Sequence, residues 1–267
     1  MTAPQAFTSS NGDLKLVVEK LRLMGYGGFW VVVITGIILT RFFSNVDLEN
    51  SLLVEVFGYN NICVYFDHPP STYVLPLLWA VTLVMLLTYI VAQWLHMRVE
   101  VQRGTLKSGL YKVLTSLKAF EAFTFISFST IFAVSPEGHD HTLYIHTAPF
   151  FLLQFGMVSL AMSNTLHGIK SGYWARLDLP SWFSKAAIVY CLFFAMIVAF
   201  KIPVTTNAMA DYPWWEKSDA LLNVAGIFDK MFLFCAALVP MAMAAFLLYF
   251  RSDKIDVVIL KPTIASL

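Results

Sequence analysis

The chain has 267 residues, 58% of them hydrophobic and only 13% charged, where roughly a quarter of an average soluble domain is charged. With a mean hydropathy of +0.68, this composition excludes an ordinary soluble domain and places the chain in lipid. A net charge of +1 lacks the basic excess that phosphate neutralisation requires, so nucleic acid is excluded as a partner class. The three cysteines, Cys63, Cys191 and Cys235, stand apart without a CxxC spacing, which supports neither a zinc ribbon nor a disulfide framework.

The polar start lacks the basic n-region and apolar h-region of a cleavable signal, so the first apolar run is expected to be a permanent span. After the capping residues between Thr8 and Asp13, the series Leu14, Val17, Val18, Leu21 has helical spacing, with Lys15, Glu19, Lys20 and Arg22 between its members. This predicts an amphipathic helix within residues 1–23, either lying in the headgroup layer or acting as a soluble cap.

Six apolar stretches follow, at about residues 24–43, 72–95, 113–134, 146–166, 186–204 and 231–250, each close to the roughly 20 residues that cross a hydrocarbon core. Gly25, Gly27 and Gly28 in the first invite close approach of a neighbouring helix. Leu48, Leu52 and Val56 suggest a short surface helix in the first outer loop. Pro203, Pro240 and the alanines of the last span predict close packing and a kink. Trp214 and Trp215 suit the interface between headgroups and hydrocarbon.

Loop charge orients these spans. Basic residues gather in the N-terminal arm, between Arg98 and Lys112, at Lys170, Arg176 and Lys185, and in the tail. The remaining loops are assigned only Arg41, Lys201, Lys217 and Lys230, so the positive-inside rule puts both termini in the cytosol. The expected architecture is an all-α polytopic membrane helical bundle of about six transmembrane helices. Residues 1–23 form an amphipathic N-terminal segment, 24–250 the transmembrane domain, and 251–267 a polar tail.

Polar residues inside spans are the candidate sites, because an ionised group at bilayer depth costs on the order of 2.5–3.5 kcal/mol even on lenient scales. Lys118 and Glu121 are i, i+3 neighbours of opposite charge; they pair structurally, snorkel, or form a polar station for a proton or substrate. Gln93 with His96, and Asn164 with His167, repeat an i, i+3 pattern at the inner ends of two spans. The two imidazoles are either ordinary interfacial histidines or ligands of a haem. In the second outer loop His139, His141 and His146 stand near Glu137 and Asp140, with Asp67 and His68 in another outer loop. These could hold a transition metal, form a pH-sensitive surface, or be a solvated turn. Neither HExxH nor GxSxG occurs.

The six-span layout with longer first and third outer loops resembles that of the FRAG1/DRAM/Sfk1 group, whose members are associated with lipid handling and membrane trafficking. The resemblance is one of topology, has no residue motif and assigns no site. The leading expectation is a non-enzymatic integral membrane protein that serves as a structural or interaction subunit and contacts membrane lipids and protein partners or its own copies. The alternatives are a redox protein binding haem or another metal through histidines, and a lipid or small-solute transporter using Lys118 and Glu121.

Overall fold

The computed structural model describes residues 7–10, 13–136, 142–210, 212–255 and 257–260. Helix dominates, in helices α1 (Val18–Phe43), α2 (Leu52–Phe57), α3 (Ser71–Gln102), α4 (Ser108–Phe128), α5 (Thr142–Lys170), α6 (Tyr173–Arg176), α7 (Ser181–Met209), α8 (Asp219–Leu233) and α9 (Val239–Phe250). Among the described residues five helices are long and apolar enough to cross a membrane: α1, α3, α5, α7 and the continuous helix Asp219–Phe250 built from α8 and α9. The length and hydropathy of these elements are compatible with an integral membrane protein. Helix α4 also has 21 residues, but every stretch of eighteen within it includes Lys112, Lys118 and Glu121.

The chain's ends differ from expectation. Leu14 to Val17 do not begin an amphipathic helix; strand β2 (Asp13–Val17) pairs antiparallel with β1 (Phe7–Ser10) and with β3 (Val257–Leu260) from the supposed polar tail. Leu16 and Val18 are buried in the main core and Val17 in a satellite cluster. The series Leu14, Val17, Val18, Leu21 has helical spacing but is split between two elements, because Val257–Leu260 offers β-branched residues and a ladder for the backbone to pair with. Helix α1 then runs without a break from Val18 into the first apolar stretch.

Glycines set the helix contacts. A Cβ on Gly25 would meet Leu86 at 2.9 Å and one on Gly28 would meet Thr82 at 2.8 Å, so α1 lies close along α3, whereas Gly27 faces open space. Gly156 of α5 packs directly on Thr124 of α4. Phe29, Trp79 and Phe128 interlock edge to face between α1, α3 and α4, with ring centroids 6.3 Å and 4.8 Å apart. A π turn at Phe234–Leu238 joins α8 to α9 just ahead of Pro240. Proline has no N–H and its ring clashes with the carbonyl four residues back; here that is Ala236, inside the widened turn.

The surface is apolar along helical stripes: Val31, Ile34, Ile38 and Phe42 on α1, and Leu77, Val81, Val84 and Val91 on α3, are all exposed. Such stripes, with polar groups turned inward, are what lipid selects and water does not.

Candidate functional site

Helices α3, α4 and α5 bring together the polar residues singled out in the sequence. Lys118 Nζ donates to Glu121 Oε2 at 2.9 Å, Ser163 Oγ at 2.8 Å and Asn164 Oδ1 at 3.1 Å. Ser163 Oγ and Ser159 Oγ in turn donate to Glu121 Oε1 at 2.7 Å and 3.3 Å. Gln93 Nε2 also donates to Asn164 Oδ1, and Asn164 Nδ2 donates to the Tyr89 hydroxyl at 2.9 Å. Lys118 and Glu121 are buried and saturated by oxygen partners, and mutual compensation with full hydrogen bonding is what makes an ion pair tolerable away from water. Nearly three turns before Asn164 on α5, Gln154 is buried with neither end of its amide partnered among the described residues.

One turn beyond Gln93, His96 and His167 meet. Their rings touch edge to face with centroids 5.4 Å apart, and Tyr173 packs on both. The organiser is Glu100, which lies in the basic stretch between Arg98 and Lys112. It is fully buried because α3 continues seven residues past the expected end of the span. It pairs with His167 Nε2 and with the guanidinium of Arg176, and lies 3.8 Å from His96 Nε2. Arg176 is partly exposed, so the cluster extends from the surface inward to His96 and His167. The Nε2 atoms of both imidazoles face the Glu100 carboxylate.

At the opposite end of the bundle His146 is buried in α5, not solvated in a loop. Its Nδ1 contacts the Val134 carbonyl at 2.6 Å and its Nε2 lies 3.3 Å from Asp67 Oδ1. The pairing with Asp67 ties the start of α5 to the segment ahead of α3. His139 and His141, the other two members of the expected metal cluster, lie outside the described residues. Among the described residues no three His, Cys, Asp or Glu side chains converge as a metal site.

A further charged pair was missed. Lys201, assigned to the outer loops by charge counting, is fully buried in α7 and pairs with Asp229 of α8. Its ammonium sits 4.6 Å from the Phe150 ring centroid and 5.5 Å from that of Phe232. Asp229 Oδ2 accepts from the Ile62 N–H at 3.2 Å, which ties the first outer loop to the bundle. Next to it the Cys63 thiol is pushed up by burial and then by Asp67 and Asp229, so it stays protonated and inert at neutral pH. The only sequence clue was one cation inside the fifth apolar stretch and one anion just ahead of the sixth, 28 residues apart.

One opening was invisible to sequence reasoning. A groove of about 470 Å³ lies between α1, α5, α7 and α9, within the range of roughly 300–1,000 Å³ that holds a small ligand. Trp182, Phe183, Met243 and Phe246 make its apolar walls, while Arg22 and Asn164 face it from the inner helices. Asn164 is the same residue that accepts from Lys118, so the groove and the polar network share a wall. No protein family, curated protein or solved structure matches this chain.

Proposed function

We propose that this chain is a six-span, non-catalytic membrane protein that binds an amphiphilic lipid in the groove between α1, α5, α7 and α9, and serves as a lipid-binding subunit of a membrane assembly. The observation that carries the reading is the groove itself, an opening with apolar walls facing the bilayer and a polar inner side at Arg22 and Asn164. A soluble ligand would need a path from water; a lipid already lies alongside.

Support for six spans comes from the sheet. Strand β2 leads directly into α1, β3 follows α9, and the two pair along Leu14 to Val17, so both flanks of the bundle sit on one side. An odd number of crossings would part them. Helix α4, packed between α3 and α5, supplies the even count, and its Val113, Phe123 and Ile126 are exposed as a lipid-facing helix requires. The basic residues on the same side, Arg98, Arg103 and Lys107 among them, favour a cytosolic location for both ends.

Two measurements test this. The protein purified in mild detergent carries one amphiphile per chain, detected by mass spectrometry of the extracted lipid, and Ala186→Trp, which fills the groove from its outer wall, loses it; a lipid-free wild type sinks the reading. Because the native thiols are buried, Lys107→Cys and Lys217→Cys report topology cleanly. An impermeant maleimide labels them from opposite faces of sealed vesicles, and labelling from the same face refutes six spans.

A second reading, transport of the lipid or of a small solute past Lys118 and Glu121, is favoured by the position of Asn164, which both faces the groove and accepts from Lys118 at 3.1 Å. Flux that survives joint neutralisation as Lys118→Met with Glu121→Leu removes it.

A further inference from the structure

Arg22 is 6% exposed, yet it is the least well partnered of the buried cations. Its Nη1 reaches Glu19 Oε2 at 3.3 Å, longer than the roughly 2.7–2.9 Å of a well-formed charge-assisted bond. Among the described residues its Nη2 has only the thioether sulfur of Met243, at 3.7 Å, and its Nε has no partner. A thioether is a weak acceptor, and methionine is flexible enough to swing aside. Arg22 and Met243 both line the groove, so the guanidinium presents its poorly used edge to whatever fills that space. Planar guanidinium forks match carboxylate and phosphate oxygens.

The groove's dimensions add a second constraint. Its α7 wall runs from Trp182, which is 63% exposed at the helix start, to Tyr190, eight residues or about 12 Å along the helix. That approaches the depth of one leaflet, about half of a 30 Å hydrocarbon core. The groove therefore takes a chain that enters at headgroup level beside Trp182 and follows the lipid direction inward, with its polar end near Arg22, one turn inside the start of α1.

We propose that the groove's ligand is a single-chain anionic amphiphile, a fatty acid or a lysophospholipid with a terminal phosphate, whose acidic head replaces Met243 on Arg22. This rests on the lipid-binding reading above and names its ligand class. Carboxylate and phosphate share the recognising chemistry, and the test separates them.

The experiment is native mass spectrometry of the full, delipidated chain in detergent, titrated separately with oleate, lysophosphatidic acid, monooleoylglycerol and inorganic phosphate. The expected result is one bound oleate or lysophosphatidic acid per chain, at least tenfold tighter than monooleoylglycerol, the order expected for a charge-assisted bond. The tighter of the two acids identifies the head, and inorganic phosphate displaces neither. Arg22→Gln erases the preference for acids, and the pair Glu19→Gln with Arg22→Gln does the same without stranding a buried carboxylate. Met243→Leu keeps the preference, because the sulfur only holds the place of the ligand oxygen. Equal binding of the three lipids, unchanged in both arginine variants, overturns the anionic ligand and leaves lipid binding standing. Displacement by phosphate alone overturns the single-chain amphiphile. Absence of every lipid, or binding that Ala186→Trp does not weaken, removes the groove reading as a whole.

Discussion

Lys118 and Arg22 are both cations buried among helices, each three residues from a carboxylate on its own helix, and the structure treats them in opposite ways. Lys118 has three oxygen acceptors within 3.1 Å, and its partner Glu121 accepts from two further serines. Arg22 has one distant carboxylate oxygen and a sulfur. A saturated pair holds helices together because any movement strands a charge. An unsaturated one beside an opening is poised for a ligand. Spacing alone made the two pairs look alike; the neighbouring helix decides the difference, since α5 offers Ser159, Ser163 and Asn164 to the first whereas α9 offers Met243 to the second.

The contrast breaks most visibly at Lys118. Lys118→Ala leaves Glu121 buried without its counter-charge and is expected to cost about 3–5 kcal/mol, read as a lower unfolding midpoint in detergent; the double change Lys118→Met with Glu121→Leu recovers most of it. The pair Glu19→Gln with Arg22→Gln, which strands no carboxylate, is expected to cost about 1.5 kcal/mol in the lipid-free protein, in line with one charge-assisted bond. Equal losses at the two sites would mean that Arg22 is as firmly anchored as Lys118, and the contrast would fail. The smallest effects separate neighbouring glycines of α1. Gly28→Ala pushes against Thr82 and destabilises by about 1 kcal/mol, whereas Gly27→Ala meets nothing and stabilises by roughly 0.5 kcal/mol through helix propensity.

Much of the helical frame was readable because lipid imposes a crude rule: about twenty apolar residues per crossing. The stretches expected at 24–43, 72–95, 146–166, 186–204 and 231–250 all lie within long apolar helices, although each helix is longer than its apolar stretch. Glu100, at the end of α3, shows why. Hydropathy ends a span at the first charge, but a helix continues as long as its polar residues find partners, and Glu100 finds His167 and Arg176. The N-terminal segment failed in the other direction, since a period-3.6 pattern over four residues is weak against a strand partner more than 240 residues away.

Of the candidate site, the sequence by itself determined the inventory: Gln93, His96, Lys118, Glu121, Asn164 and His167 are conspicuous because polar side chains are costly in apolar helices. It also determined that they lie on helices, and that Lys118 can meet Glu121, because i, i+3 geometry is local. Only the tertiary structure decided who else they meet. The bonds from Lys118 to Asn164, from Glu100 to His167 and from Lys201 to Asp229 depend on helix rotation and depth, which are set by close-packed glycines and aromatic rings. The groove had no sequence signature at all, being a space left where α1, α5, α7 and α9 do not fill one another's gaps, and a void is a property of packing and of no single residue.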